Sequence, residues 1–92
     1  MKKQVLNQMT FTRVNSDING NPRHATHFLN LLTDQEKGLG LSLDQEYILA
    51  VKRANTIGGR KFHNKQFGGG IVFQSYNIQD TANKIVELLE EV

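Results

Sequence analysis

The side chains best suited to chemistry lie between two groups of glycines, in the segment GGRKFHNKQFGGG at residues 58–70. Arginine and lysine neutralise phosphate groups, and aromatic rings stack on bases, so this mixture is typical of nucleic-acid binding. Two further cations precede the segment and extend the basic stretch. The predicted nucleic-acid-binding residues are Lys52, Arg53, Arg60, Lys61, Phe62, His63, Lys65 and Phe67.

A phosphate-binding loop is a weaker interpretation of the same segment. Such loops follow the pattern G-x-x-x-x-G-K-[ST] or lead into the N-terminus of a helix. Here Gly68, Gly69 and Gly70 lead into the apolar run IVFQSY, which is typical of a strand. The segment therefore does not predict a nucleotide-binding enzyme.

A basic edge strand is the structural alternative, and the sequence leaves it open. Lysines on an edge strand prevent pairing with other chains, so the charges need no ligand. Side chains alternate along a strand, so Arg60 and Phe62 would face one way and Lys61, His63 and Lys65 the other. Either set could belong to the core.

The remaining polar groups predict neither catalysis nor metal binding. His24 and His27 lie three residues apart, and on a strand this spacing sends them to opposite faces. The chain has no cysteine, which excludes disulfides and cysteine-based zinc sites. No serine follows the strand–turn–helix pattern of an activated nucleophile. We therefore expect no enzyme activity, no metal and no cofactor, and we interpret the histidines as surface or half-buried groups.

A dense turn, NSDINGNP at residues 15–22, separates two extended segments. Its Asn19-Gly20 pair is typical of tight hairpin turns, because both residues tolerate positive φ angles. Arg13 and Arg23 flank this turn. We interpret them as hairpin residues that face water, since turn chemistry accounts for the segment without a ligand.

Length and composition indicate one small globular domain over residues 1–92, with residues 1–8 expected to be disordered. The net charge of +2 hides an asymmetry. Residues 47–79 carry five cations and no acid, whereas residues 80–92 carry four acids and one lysine. We therefore expect a positive surface and a negative surface, unless the opposite charges meet in the fold.

No segment of the chain predicts export or membrane insertion. Lys2 and Lys3 are not followed by the apolar stretch of a signal peptide. No apolar run approaches the roughly 20 residues that a membrane-spanning helix needs. We expect a soluble cytoplasmic protein without a membrane partner.

Composition and periodicity predict four strands and two helices. The strands are expected at residues 9–14, 23–31, 60–67 and 71–76, with a loop at 33–41. Ser42 and Gln45 match a capping box at the start of a helix over 42–57. Asn77 is placed to cap a second helix over 78–91.

The residue pattern of the two helices also predicts which side chains they bury. The first helix places six residues on one face: Leu43, Tyr47, Ala50, Val51, Ala54 and Ile57. Leu49 is off this face and is expected to be exposed or to contact a partner. In the second helix, Asp80 and Lys84 have the i,i+4 spacing of an ion pair on the outer surface.

The order of elements predicts an α+β fold, a ββαββα two-layer sandwich in which a four-stranded antiparallel sheet carries two helices on one face. The other face must then be polar or covered by a partner. Two hypotheses for function follow. One is a small non-enzymatic accessory module that binds nucleic acid, and the other is a protein-interaction module or homodimer with no nucleic-acid activity.

Three stretches resemble small proteins encoded by phages and mobile elements of low-GC bacteria. They are FGGGIVFQSYN at 67–77, NGNPR at 19–23 and HFLNLL at 27–32, in a chain with many Asn, Lys and Ile residues. The resemblance covers most of the chain and carries no catalytic motif. It implies an accessory role near DNA handling or host interaction.

Overall fold

The computed structural model of the chain describes residues 9–16, 18–62, 69–74 and 77–92. The strands are β1 (Phe11–Val14), β2 (Arg23–His27), β3 (Arg60–Phe62) and β4 (Gly70–Phe73). The helices are α1 (Asp34–Lys37), α2 (Leu43–Asn55) and α3 (Ile78–Glu90), with a 3₁₀ helix at Phe28–Leu31. The predictions for residues 1–8 and for His63, Lys65 and Phe67 lie outside the described residues.

The four strands form one antiparallel sheet in the order β1-β2-β4-β3. The β1–β2 and β3–β4 pairs join neighbours in sequence, whereas the β2–β4 pair joins the two halves of the chain. In that central pair His24 lies opposite Phe73, and Thr26 lies opposite Ile71. The predicted α+β fold with a four-stranded antiparallel sheet is confirmed, and β3 is an edge strand.

One face of the sheet is covered by the two long helices. His24, Ile71 and Phe73 share this face, because side chains alternate along a strand and His24 is paired with Phe73. Ile71 and Phe73 pack in the core with residues of α2 and α3. His24 Nε2 lies 3.1 Å from Thr81 Oγ1 of α3. The prediction of two helices on one face is confirmed.

The opposite face of the sheet is called here the helix-free face, because every helix in the described chain lies on the other side. The 3₁₀ helix packs against α2, and α1 is joined to α2 by an ion pair, so the short helices share the covered side. Alternation and strand pairing assign eight side chains to the helix-free face: Thr12, Val14, Arg23, Ala25, His27, Arg60, Phe62 and Val72.

The apolar core lies between the covered face and the helices. Its buried cluster consists of Phe28, Leu31, Leu32, Ala50, Ala54, Ile71, Phe73 and Ile85. Packing is closest at Gly59, between α2 and β3. A Cβ at this position would lie 2.7 Å from Phe73 Cε1 and 2.9 Å from Ala54 Cβ. A glycine is therefore needed where the chain leaves α2 and enters the sheet.

The strand predicted over residues 23–31 ends at His27, and a 3₁₀ helix follows. His27 Nδ1 accepts a hydrogen bond from Leu29 N at 3.2 Å, which caps the new helix. Phe28 and Leu31 lie three residues apart and are both buried, as expected with three residues per turn. The alternation of a strand stops at His27 because the chain turns into the core.

Helix α2 confirms the predicted capping box but only part of the predicted apolar face. Ser42 Oγ accepts a hydrogen bond from Gln45 N at 3.2 Å, and Gln45 Oε1 accepts one from Ser42 N at 3.0 Å. Leu43 was assigned to the buried face but is 71% exposed, because the apolar contacts of the helix with the core begin at Tyr47. Leu49 was assigned elsewhere but packs against the core.

The predicted loop at residues 33–41 contains the short helix α1. Thr33 and Glu36 form a second capping box. Thr33 N donates a hydrogen bond to Glu36 Oε1 at 2.9 Å, and Glu36 N donates one to Thr33 Oγ1 at 3.1 Å. This helix sets the position of Glu36, whose carboxylate then meets Arg53 of α2.

Helix α3 agrees with its prediction to within one residue. It begins at Ile78, after Asn77, whose Oδ1 accepts a hydrogen bond from Asp80 N at 2.9 Å. Lys84 Nζ lies 3.3 Å from Asp80 Oδ2, which confirms the expected ion pair on the outer surface.

His24 differs from its prediction as a surface or half-buried residue, because its side chain is fully buried. Its ring lies between Phe11, in an edge-to-face contact at 5.3 Å, and Phe73, stacked at 5.9 Å. The contact with Thr81 supplies a polar partner, which is what permits burial of the imidazole.

Candidate nucleic-acid interface

Strand β3 brings two of the predicted cations to the edge of the sheet. Arg60 and Lys61 are both exposed. Arg60 is paired with Val72 and Lys61 with Ile71, so the two side chains leave opposite faces of the strand. Arg60 belongs to the helix-free face, and Lys61 lies at the margin of the covered face.

Phe62 is half-buried on the helix-free face and is not part of the core cluster. It lies directly opposite Gly70 of β4. A Cβ built on Gly70 would lie 3.6 Å from Phe62 Cδ2, so the aromatic ring leans over the glycine. Alternation within the segment leaves open which side chains face the core, and the pairing with β4 shows that Phe62 and Arg60 lie on the helix-free face.

Arg23 was predicted to be a hairpin residue that faces water, but it joins this group from β2. Its guanidinium carbon lies 6.0 Å from the centre of the Phe62 ring, within the range of a cation–π contact. Because β4 lies between β2 and β3, this contact spans β4 on the helix-free face. Arg23 Nε donates a hydrogen bond to Asn15 O at 2.7 Å, which holds the guanidinium in place.

Lys61 extends in the other direction, toward α2. Its Nζ lies 5.9 Å from the centre of the Tyr47 ring. Tyr47 Oη donates a hydrogen bond to Gly70 O at 3.4 Å, and burial raises the pKa of the Tyr47 phenol above its ordinary value. The phenol is therefore neutral at physiological pH, and the ring gives the lysine a fixed apolar support while its ammonium group stays exposed.

The described glycines that end the segment have structural reasons to be glycine. Gly69 has φ +121°, and a Cβ there would lie 3.3 Å from Tyr47 Cε1 and 3.4 Å from Phe28 Cδ1. A Cβ on Gly70 would lie 3.4 Å from the carbonyl oxygens of Phe62 and Thr26 on the two flanking strands. Close backbone approach accounts for these glycines without a bound phosphate.

Arg53, a predicted nucleic-acid-binding residue, is held in an ion pair inside the helix layer. Its Nη1 and Nη2 donate to the two carboxylate oxygens of Glu36 at 2.6 and 2.7 Å, and Nη1 also donates to Leu31 O at 2.8 Å. The Arg53 side chain is 10% exposed. These hydrogen bonds, with Arg53 the main cause, lower the pKa of Glu36 from 4.5 to about 2. Arg53 is thus unsuited to contact phosphate.

Charge is divided between the two layers of the molecule. The four strands carry four cationic residues and no acidic one, whereas α1, α2 and α3 carry seven acidic residues and four cationic ones. Three of the helix cations, Lys37, Arg53 and Lys84, are paired with acids. The fourth, Lys52, is exposed on α2, in the acidic layer rather than with the strand cations.

A pocket of about 270 Å³ lies elsewhere, between the end of α2, β4 and the start of α3. Its charged groups are Asp80 and Lys84, which neutralise each other at 3.3 Å. Within the described ranges, no group of three or more His, Cys, Asp or Glu residues is placed to hold a metal ion. None of the helices in those ranges combines the length and apolar character that a membrane crossing requires.

Comparison with known proteins assigns the chain to a phage family. The family model described as Staphylococcus phage terminal repeat-encoded protein TreK matches residues 4–92. No curated protein and no solved structure matches the chain. Because the match covers nearly the whole sequence, the chain belongs to the TreK family, and the resemblance to small phage proteins is confirmed.

Proposed function

We propose that this member of the TreK family is a non-enzymatic accessory module that binds nucleic acid through the cations of its sheet. The observation that carries the proposal is the division of charge, with cations and no acids on the strands. A surface of one sign attracts a polyanion, whereas a surface of alternating sign does not.

The proposed binding surface consists of Arg23, Arg60 and Lys61, with Phe62 between the first two. Arg60 and Lys61 are exposed at the edge strand, where a backbone phosphate can reach them. Arg23 is held by Asn15 O through Nε, so ordering it on a ligand has a lower entropic cost than ordering a free side chain. His63, Lys65 and Phe67 remain predicted members of the same surface.

The test compares two pairs of neutral substitutions that remove the same charge from different layers. One protein carries Arg60→Gln and Lys61→Gln on β3, and the other carries Lys52→Gln and Lys84→Gln on α2 and α3. Each is titrated into labelled DNA and RNA, single-stranded and duplex, while fluorescence anisotropy is measured at about 50 and about 200 mM salt.

We expect salt-sensitive binding by the unaltered protein, a large loss in the strand variant and little change in the helix variant. Circular dichroism and thermal melting would confirm that both variants are folded. Absence of binding at low salt would contradict nucleic-acid binding itself. Equal losses in both variants would contradict the strand surface and would favour the predicted contribution of Lys52.

A protein-interaction module is the second candidate, and exposed apolar side chains near the start of α2 favour it. Leu39, Leu43 and Ile48 are each at least 60% exposed. Large apolar residues of this kind commonly contribute to protein interfaces. A salt-resistant dimer in light scattering, converted to monomer by Leu43→Ser, would support this function. A monomer at high concentration would count against self-association.

A further inference from the structure

We infer that the helix-free face takes a single-stranded nucleic acid, with one base stacked on the Phe62 ring and adjacent phosphates on Arg23 and Arg60. This inference rests on the proposed function, and it names the form of nucleic acid that the surface accepts. The alternative, that a duplex lies along the same cations, is an outcome of the test below.

Phe62 offers the surface that a base needs. Register assigns two rings to the helix-free face within the described strands, Phe62 and the imidazole of His27. His27 is stacked on Phe28 and caps the 3₁₀ helix, whereas Phe62 is half-buried on the edge strand. Gly70 lies directly opposite Phe62, His27 of β2 lies beyond Gly70, and the buried residues Val72 and Ala25 lie farther along the same face. A base would therefore approach the ring from the open side of the edge strand β3 rather than from the middle of the sheet.

The two guanidinium groups flank this ring on different strands. Arg60 lies two residues before Phe62 on β3, about 6.6 Å along the strand, and points to the same face. Arg23 reaches Phe62 from β2, with its guanidinium carbon 6.0 Å from the ring centre. At that distance, the outer limit of a cation–π contact, the guanidinium lies over the ring without stacking directly on it.

The position of Arg23 is set by a hydrogen bond that leaves its terminal nitrogens available. Nε donates to Asn15 O at 2.7 Å, and Nη1 and Nη2 have no hydrogen-bond partner among the described residues. A guanidinium fixed in this way presents a planar fork of donors, which suits a phosphate oxygen pair. The same planar group can also stack on a base.

A single strand can use this arrangement and a duplex cannot. In a duplex the bases stack on one another and present only their edges in the grooves, so no base face is available to Phe62. In a single strand the bases can splay onto aromatic side chains while the backbone follows cations. Phosphate contacts alone would not distinguish a single strand from a duplex, so the preference for a single strand depends on Phe62.

The experiment uses Phe62→Trp and Phe62→Leu in the full chain, which contains no tryptophan of its own. The probes are an oligothymidine of about 15 nucleotides and a duplex of the same length. Phe62→Trp keeps an aromatic surface and adds a fluorophore at the proposed contact. Phe62→Leu keeps an apolar side chain over Gly70 and removes the aromatic ring.

We expect quenching of the indole fluorescence by the single strand, and a roughly tenfold weaker single-strand affinity in Phe62→Leu with unchanged salt dependence. Duplex affinity should be weaker from the outset and insensitive to Phe62→Leu. The Phe62→Trp result stands even if Phe62→Leu fails to fold.

Two results would overturn the inference. One is duplex binding as tight as single-strand binding, and the other is single-strand binding without any quenching of the Phe62→Trp fluorescence. If Arg60→Gln with Lys61→Gln still weakens binding in either case, nucleic-acid binding stands and only the base contact is wrong. If neither probe binds the unaltered protein, the proposed function itself fails.

Discussion

At the scale of single residues, Arg53 illustrates how a cation in a basic stretch can have a purely structural role. It follows Lys52 directly, and one helical step separates an exposed lysine from an arginine that is 10% exposed. The planar guanidinium matches the two oxygens of Glu36, a geometry that the ammonium group of lysine cannot reproduce. Neighbouring cations in the sequence therefore differ in what they can bind.

Replacement of Arg53 should destabilise the fold much more than replacement of Lys52. Arg53→Ala leaves the half-buried Glu36 carboxylate without its partner, which should cost about 1–3 kcal/mol. Lys52→Ala removes an exposed side chain and should change the free energy of unfolding by less than about 0.5 kcal/mol. Urea titration followed by circular dichroism measures both values. Equal effects would mean that the ion pair contributes little to stability.

The same ion pair should make stability depend on acidity. Folding lowers the pKa of Glu36 from 4.5 to about 2. The ion pair's contribution to the free energy of unfolding is therefore fully present above pH 4.5 and is lost as the pH falls toward 2. Between about pH 6 and pH 3 the loss should be about 2 kcal/mol in the unaltered protein. Urea titrations at both pH values should show this difference reduced in Glu36→Gln. If Glu36→Gln shows the same pH dependence of stability as the unaltered protein, that dependence arises from other groups.

Gly59 should be intolerant of any side chain. In Gly59→Ala the new Cβ would lie 2.7 Å from the Phe73 ring and 2.9 Å from Ala54 Cβ, so one of them must move, at a cost of about 1–3 kcal/mol. Gly38→Ala is the matched control, because its nearest contact would be an ordinary 3.6 Å. Thermal melting should show a lower Tm for Gly59→Ala alone. A normal Tm would imply that the core relaxes around the added methyl group.

At the scale of elements, the pairing of β2 with β4 determines how the candidate surface is assembled. It sets His24 opposite Phe73 on the covered face and Ala25 opposite Val72 on the helix-free face. Arg23 and Phe62 belong to different hairpins, and they meet only because this pair lies between them. A shift of one residue in this register would exchange the two faces and bury the arginine.

The contact between His24 and Thr81 should couple β2 to α3. Thr81→Val keeps the shape of the side chain but removes the hydroxyl that lies 3.1 Å from the buried imidazole nitrogen. The loss of one buried hydrogen bond should lower the free energy of unfolding by about 1–3 kcal/mol. Thr10→Val, at an exposed position before β1, serves as the control. Equal stabilities in urea would show that the hydroxyl is dispensable.

At the scale of the whole molecule, a basic sheet layer lies against an acidic helix layer. The helices pair most of their own cations internally, so the positive field arises from the strands. Such a charge distribution orients a polyanion toward the sheet before contact.

The salt dependence of binding should report how many cations contact the ligand. Each phosphate neutralised on a single strand contributes about 0.7 to the slope of log affinity against log salt concentration. Contacts from Arg23, Arg60 and Lys61 therefore predict a slope near −2, and Arg60→Gln with Lys61→Gln should reduce its magnitude to about 0.7. Anisotropy titrations over a salt series give both slopes. A slope near zero would exclude the ionic surface, and a much steeper one would add contacts such as His63 and Lys65.

Local patterns in the sequence were sufficient to determine most of the helical structure and the fold class. The caps at Ser42 and Asn77 and the ion pair of Asp80 with Lys84 involve residues three or four apart, so their geometry follows from one helical turn. The apolar face of α2 was less predictable, because Leu43 is 71% exposed and Leu49 packs against the core, and both outcomes depend on contacts outside the helix.

What the sequence by itself determined was a small α+β chain with a basic segment between glycines, because composition and short-range periodicity encode these features directly. The tertiary structure decided which cations are available. It paired Arg53 with Glu36, placed Lys52 in the acidic layer, and brought Arg23 across the sheet to Phe62. These outcomes depend on contacts between residues 17 to 39 positions apart, and no local pattern specifies which distant partners meet.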